Sequence, residues 1–74
     1  MQVTVTARGA LADRLPAGPR PVELSAEATA GELLTAMGLP TAGWVCVVNG
    51  TAVPHRQRLS EGDRVQVFAQ SAGG

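Results

Sequence analysis

The sequence contains no lysine, a single cysteine and no long apolar run, and each absence narrows what the chain can do. One cysteine, Cys46, cannot form an internal disulfide, so nothing points to an oxidising compartment and we expect a cytoplasmic protein. No stretch of about 18 apolar residues is present, and the alternating residues 1–6 differ from the continuous apolar part of a secretion signal. We therefore expect no membrane segment.

The charges are few and balanced. Six arginines balance six acidic residues, so the chain has no net charge that would attract nucleic acid or an anionic membrane. Recognition is therefore expected to depend on shape and local patches. The absence of lysine leaves no side-chain amine through which one copy of the chain could be joined to another, although a compositional preference for arginine is the simpler explanation.

The composition is that of one small folded domain. The 74 residues are 45% hydrophobic and 16% charged, which is ordinary for a globular protein and unlike a disordered chain. A domain of this size buries only about 60% of the surface that its unfolded chain exposes, so its core must be small.

Apolar periodicity predicts two strands in the first third of the chain. Residues 2–7 alternate polar side chains with Val3 and Val5, which is the pattern of a strand with one buried face. Residues 8–21 contain three prolines and two glycines and are predicted to be mostly loop. Residues 21–25 resume the alternation and, because they begin at a proline, suit the edge of a sheet.

A helix of about two to three turns is predicted next, because its start and stop signals are both present. Thr29 and Glu32 have the spacing of a capping box, in which the hydroxyl and the carboxylate each accept a backbone N–H. Gly38 stands where a left-handed terminator is expected. Between them, three apolar residues share one helical stripe: Leu33, Leu34 and Met37.

Three more strands are predicted in the second half. Residues 44–48 form a continuous apolar run, and Asn49-Gly50 favours a tight turn into residues 51–53 because both residues tolerate positive φ. Glu61-Gly62-Asp63 is predicted to be a turn that leads into residues 64–69. In that last strand Val65 and Val67 would point inward, and Gln66 and Phe68 outward.

This order of elements predicts an α+β domain with the β-grasp, or ubiquitin-like, architecture. A mixed sheet of four to five strands would pack on one helix, with the first and last strands parallel at its centre. Residues 1–69 would form the domain, and residues 70–74 a flexible tail.

The tail ends in Gly73 and Gly74, which follow a predicted strand. A terminal pair of glycines is a thread without side chains that can enter a narrow channel and lie against a partner's backbone. This position suggests that the working group of the protein is its own C-terminal carboxylate.

Several segments resemble the MoaD/ThiS family of prokaryotic sulfur carriers. The resemblance rests on V-N-G at residues 48–50, L-x-x-G-D-x-V at residues 59–65 and the terminal Gly-Gly, together with the T-A-G-E-L-L segment from Thr29 and the G-L-P from Gly38. The aromatic-x-x-x-small-Gly-Gly ending is similar to that of the small subunit of molybdopterin synthase, although Gln70 replaces a proline. The V-N-G-T-A-V-P segment is similar to the carriers that supply sulfur for the thiazole of thiamine. We favour the molybdopterin branch, with thiamine or another sulfur-containing metabolite left open.

The resemblance implies a chemistry in which the carrier itself is not an enzyme. An E1-like adenylyltransferase would use ATP and magnesium to adenylate Gly74, and a sulfur donor would convert it to a thiocarboxylate. A synthase similar to the molybdopterin synthase large subunit or to thiazole synthase would accept the sulfur. Residues 71–73, Ser71, Ala72 and Gly73, would carry Gly74 into the partner's site, and no cofactor or metal would bind this chain.

A carrier that serves two enzymes also needs a docking surface. Phe68 is the first candidate, because it points outward near the base of the tail; covering the edge of the sheet is its simpler role. Arg56 and Arg58 could steer an acidic partner loop, although solvated loop charges are the simpler interpretation. One face of the 44–48 strand must also point outward, and the sequence does not decide which.

The remaining reactive residues are interpreted as structural. Cys46 lies among valines without a neighbour that would lower its pKa, so it is expected to be buried and inert. His55 lacks the companions of a metal site or a nucleophilic relay and is interpreted as a surface loop residue. No Gly-rich phosphate loop is present, so nucleotide would be bound by the partner.

Two other functions remain open. A ubiquitin-like protein modifier would be conjugated through Gly74 to a lysine of its substrate. A non-catalytic β-grasp interaction domain would have no use for the terminal glycines.

Overall fold

The structure, a computed structural model, describes residues 1–8 and 18–69. Six elements follow one another along the chain: β1 (Gln2–Arg8), β2 (Arg20–Glu23), α1 (Ala30–Ala36), β3 (Trp44–Val48), β4 (Thr51–Val53) and β5 (Arg64–Ala69). The predicted bounds of β3, β4 and β5 are confirmed. Strand β2 ends before Ser25, because the Leu24 N–H already reaches the Met1 carbonyl oxygen at 2.8 Å and no residue of β1 is left to pair beyond it.

The five strands form one mixed sheet in the order β2-β1-β5-β3-β4. Strands β1 and β5 are parallel neighbours, and the other three pairs are antiparallel. Strand β2, which contains Pro21, lies at an edge, where a residue without an N–H costs no ladder hydrogen bond. The sheet has the predicted β-grasp arrangement, and β1 extends to Arg8 because that residue still pairs with Phe68.

The core lies between α1 and one face of the sheet. Two adjacent leucines of the helix, Leu33 and Leu34, are fully buried. The sheet and the segment between β4 and β5 contribute the other large side chains of the core: Val3, Val5, Trp44, Cys46, Leu59, Val65 and Val67. Because the core of a domain this size buries little apolar surface in total, each of these side chains contributes a large share of the hydrophobic stabilisation.

The helix ends as predicted. Gly38 has φ +77° and follows the last helical turn. Its N–H donates to the Thr35 carbonyl oxygen at 3.0 Å, and the Leu39 N–H donates to the Leu34 carbonyl oxygen at 2.9 Å. This pair of bonds is a Schellman motif, which satisfies carbonyl groups that the helix leaves unpaired.

Only half of the predicted capping box forms. The Glu32 N–H donates to the Thr29 hydroxyl at 3.2 Å, as expected, but the Glu32 carboxylate accepts a hydrogen bond from that hydroxyl at 3.3 Å instead of from a backbone N–H. Two other N–H groups of the first turn are satisfied from the 54–59 loop. The Ala30 N–H donates to the Gln57 carbonyl oxygen at 2.9 Å, and the Gly31 N–H donates to the His55 carbonyl oxygen at 2.8 Å.

His55 lies in a turn, as expected, but it is only partly exposed. Its ring is half-buried, and Nε2 lies 2.9 Å from the Trp44 carbonyl oxygen. A Cβ placed on Gly31 would lie 3.3 Å from both the Cβ and the carbonyl oxygen of His55. The glycine is thus where the helix N-terminus and this loop approach each other most closely.

Candidate functional site

The tail residues proposed as the reactive end lie outside the described residues. They are Ser71, Ala72, Gly73 and Gly74. The structure does describe the strand that leads to them, since β5 is the middle strand of the sheet and ends at Ala69 beside Trp44 of β3. The roles of the four tail residues stay predictions.

The structure decides which face of β3 points outward. Trp44 and Cys46 are 5% and 0% exposed and belong to the core, whereas Val45 and Val47 lie on the opposite side of the strand and are half-buried. We call the side of the sheet turned away from α1 the outer face. Phe68 lies on this face, as predicted, since its neighbour Val67 is fully buried.

The strand register brings four apolar side chains together on the outer face. Phe68 is paired with Val45, and Val47 is paired with Ala52 of β4. We call these four residues the outer patch. On the other side, Phe68 is paired with Arg8 of β1, so the patch has a basic neighbour next to the end of β5.

An open groove of about 550 Å³ lies on the outer face toward the start of β5. Its lining includes Thr4, Thr6, Asn49, Gly50, Arg64 and Gln66, and no acidic side chain from residues 1–8 or 18–69 contributes to it. Arg64 is exposed and, among the described residues, joins no ion pair. The groove therefore offers one cation together with hydroxyl and amide groups.

The two loop arginines proposed for partner binding lie apart from the outer patch, in the segment after β4. Both are exposed. The Arg58 guanidinium lies 3.5 Å from the Glu27 carboxylate, and both side chains are more than two-thirds exposed, so this pair is screened by water and contributes little to stability. Arg56 and Arg58 stay candidates for steering an acidic partner.

Cys46 is buried, as predicted. Burial raises the pKa of its thiol, so the protein does not favour the reactive thiolate. Its Sγ lies 3.9 Å from the Ala30 carbonyl oxygen, a weak contact with the helix. We therefore assign Cys46 a packing role.

The described part of the chain contains neither a metal-holding cluster nor a membrane-spanning helix. No group of three or more His, Cys, Asp or Glu side chains in residues 1–8 and 18–69 is arranged to hold a metal ion. In the same residues, no helix has the length and apolar character needed to cross a membrane.

Sequence reasoning left open whether Val45 and Val47 or the alternate residues of β3 point outward, and it did not single out Arg64 as a member of the outer face. The alternation along β5 placed Phe68 outside and also indicated the outward phase of Arg64. The phase of β3 has no such signal, because all five of its residues are apolar and only the pairing with β5 fixes their direction.

Solved structures with the same fold are similar over nearly the whole chain. SAMP1 from Haloferax volcanii has a TM-score of 0.78 at 19% identity, with 100% of both chains covered. A protein described as molybdopterin converting factor, subunit 1, from Pyrococcus furiosus has a TM-score of 0.74 at 22% identity, covering 95% of this chain and 98% of the other. The ubiquitin of Caldiarchaeum subterraneum has a TM-score of 0.65 at 17% identity, covering 100% and 98%. At these identities the likeness establishes the β-grasp fold.

The family is established by sequence. No curated protein matches the chain. The profile of the ThiS family matches residues 11–74, which begins well before the Thr29 segment that first suggested the resemblance and includes the terminal Gly-Gly. The chain therefore belongs to the ThiS family of ubiquitin-like carriers.

Proposed function

We propose that this protein is a cytoplasmic sulfur carrier whose Gly74 carboxylate is adenylated and then converted to a thiocarboxylate. The observation that carries the proposal is the family match, which extends through Gly73 and Gly74. The β-grasp fold is consistent with a carrier that depends on partner enzymes.

The chemistry begins with activation, because a carboxylate is a poor acyl donor. A Gly74 oxygen attacks the α-phosphorus of ATP in the active site of an E1-like enzyme, and pyrophosphate leaves with magnesium. Hydrosulfide, the simplest sulfur donor, then attacks the acyl carbon, AMP leaves, and the thiol proton is released to give the thiocarboxylate. After the sulfur attacks an electrophilic carbon of the acceptor, water cleaves the bond between the acyl carbon and sulfur and restores Gly74.

This chain contributes reach and recognition to those steps. Five extended residues span at most about 17 Å, at about 3.3 to 3.6 Å per residue, which would place Gly74 in a partner's site while the sheet stays outside. The outer patch would dock the partner, since an aromatic residue surrounded by valines resembles the core of a protein interface. Phe68, near the end of β5, would be its anchor.

For the sulfur acceptor we favour a synthase of the molybdopterin type. The ending from Phe68 to Gly74 supports this choice, and so does the likeness to a protein described as molybdopterin converting factor, subunit 1. A thiazole synthase is the other acceptor consistent with the family, and the V-N-G-T-A-V-P segment favours it.

The test is an intact-mass measurement on the purified chain, incubated with an E1-like adenylyltransferase from the same organism, MgATP and sodium sulfide. We expect the mass to rise by the difference between sulfur and oxygen, and removal of Gly74 to abolish the rise without unfolding the domain. Unchanged mass, with pyrophosphate release also absent, would refute the proposal. The same spectrum of the untreated cellular protein would establish whether the mature chain ends at Gly74.

The second candidate is a protein modifier. It is suggested by the likeness to SAMP1 and to an archaeal ubiquitin, both at under 20% identity. Incubation in a cell extract with MgATP would separate the two functions, because a modifier gives a series of larger conjugates that disappears when Gly74 is removed. A non-catalytic interaction domain would give neither the mass change nor the conjugates.

A further inference from the structure

We infer that the groove on the outer face binds a carboxylate side chain of the protein that docks on the outer patch. The partner segment would therefore be both apolar and acidic. The inference deepens the proposed function, on which its biological setting rests, by describing the chemistry of the docking partner.

The first argument is charge. Arg64 is exposed, lines the groove and joins no ion pair among the described residues. The nearest acid in sequence, Asp63, is already occupied. Its Oδ1 accepts from the Asn49 amide at 3.1 Å, and its Oδ2 accepts from the Ser60 N–H at 2.7 Å. The guanidinium is thus available for an acceptor from outside.

The second argument is the donor set. Arginine presents a fork of N–H groups that matches a carboxylate, and charge-assisted hydrogen bonds of this kind are stronger than neutral ones. Thr4, Thr6 and Gln66 line the same groove, and their hydroxyl and amide groups would add neutral donors. None of the described residues that line it is acidic.

The third argument is continuity with the outer patch. Arg64 and Phe68 lie four residues apart on β5 and point to the same face, so their attachment points are separated by about 13 Å at about 3.3 Å per residue. A groove of about 550 Å³ that is open along a sheet has room for a peptide segment rather than for one small ion. These features favour a protein segment with an apolar side chain and a carboxylate about 13 Å apart.

The experiment uses two capped synthetic peptides of extended sequence, in which a leucine and a glutamate, or a leucine and a glutamine, are four residues apart. Each is titrated into the ¹⁵N-labelled full chain and followed by amide chemical shifts. We expect the glutamate peptide to bind about tenfold more tightly than the glutamine peptide, with shifts in both the groove and the outer patch.

The variants make the result specific. Arg64→Gln should abolish the preference for glutamate, and it should fold normally because the Arg64 backbone N–H, which donates to the Asn49 side chain at 3.0 Å, is retained. Arg20→Gln, on strand β2 at the sheet edge, is the matched control and should keep the preference.

Three results would overturn the inference. They are equal binding of the two peptides, a glutamate preference that survives in Arg64→Gln, and shifts by sodium acetate or phosphate as large as those by the peptide, which would indicate a small-anion site. Because the titration does not involve Gly74, it succeeds or fails independently of the mass change expected for sulfur loading.

Discussion

The Asn49 amide nitrogen donates to Asp63 Oδ1 at 3.1 Å, and this contact joins two turns that are distant in sequence. The same Asn49 side chain accepts the Arg64 N–H at 3.0 Å through Oδ1, and the Asn49 N–H donates to the Arg64 carbonyl oxygen at 2.8 Å. The V-N-G and L-x-x-G-D-x-V segments are therefore one structural unit that holds the start of β5.

This unit gives a stability prediction for Asn49, which has φ +50°. Asn49→Gly keeps a residue that tolerates positive φ and loses only the side-chain bonds, so we expect a loss of about 1 kcal/mol in the free energy of unfolding. Asn49→Ala also places a Cβ-bearing residue without local hydrogen bonding in that conformation and should cost about 1 kcal/mol more. Urea unfolding measures both, and equal losses for the two variants would contradict the explanation.

Gly31→Ala tests the approach of the helix to the 54–59 loop. Replacing a helical glycine by alanine ordinarily stabilises a protein by up to about 1 kcal/mol. Here the new Cβ would lie 3.3 Å from the His55 carbonyl oxygen, so we expect the stabilisation to be cancelled or reversed. Ala36→Gly, an exposed change at the other end of α1, should show the ordinary helical difference. A stabilisation of about 1 kcal/mol in Gly31→Ala would mean that the loop yields without cost.

A matched pair of valines tests the two faces of the sheet. Val67 is 0% exposed, so Val67→Ala should destabilise the fold by about 2 kcal/mol through lost burial and a cavity. Val47 is half-buried on the outer face, and Val47→Ala should cost less than about 1 kcal/mol. Thermal unfolding of the two variants should keep this order. The reverse order would mean that the outer face is covered in the free protein.

Cys46 predicts a dependence of stability on pH. Burial raises the pKa of its thiol above the ordinary value of 9.0. The unfolded chain therefore loses this proton at a lower pH than the folded one, so the thiol's effect is constant below about pH 9 and destabilises the fold as the pH rises further. Cys46→Ala should lack this decline when both proteins are unfolded in urea between pH 7 and 10.5. Identical slopes would remove Cys46 as its source.

Phe68→Ala tests the docking role. We expect the KM of the chain in adenylation to rise about fivefold or more, because a central aromatic anchor is commonly worth more than about 1 kcal/mol. The kcat should be unchanged, since Phe68 is not in the tail. Thr35→Ala, on the exposed side of α1, is the control and should leave KM unchanged. An unchanged KM in Phe68→Ala would restrict this side chain to covering the sheet.

The fold could be predicted from sequence because its signals are local. Each of these local signals predicts one kind of local structure. Asn49-Gly50 predicts a tight turn, Gly38 predicts the end of a helix, and the alternation of β5 predicts a strand with one buried face. Two features could not be predicted because they depend on distant partners. The outward direction of Val45 and Val47 follows from pairing with β5, and the half-buried position of His55 follows from its contact with Trp44.

The candidate site was predicted only in outline. Phe68 could be identified from its phase, but the patch around it required the pairing of three strands. The groove depends on Thr4 and Arg64, which are 60 positions apart in the sequence and are brought side by side by the parallel pairing of β1 with β5. The residue pattern within β1 or within β5 does not indicate which residue of the other strand lies beside it.

The parallel pairing also determines when the protein can fold during its synthesis. Strand β1 has as its central partner β5, the last of the five described strands to leave the ribosome, and β2 is the one other strand that pairs with β1. Such a high contact order favours slow, cooperative folding of the finished chain. The outer patch is therefore expected to form only after β5 has been synthesised, so a chain that stops short of β5 would lack it.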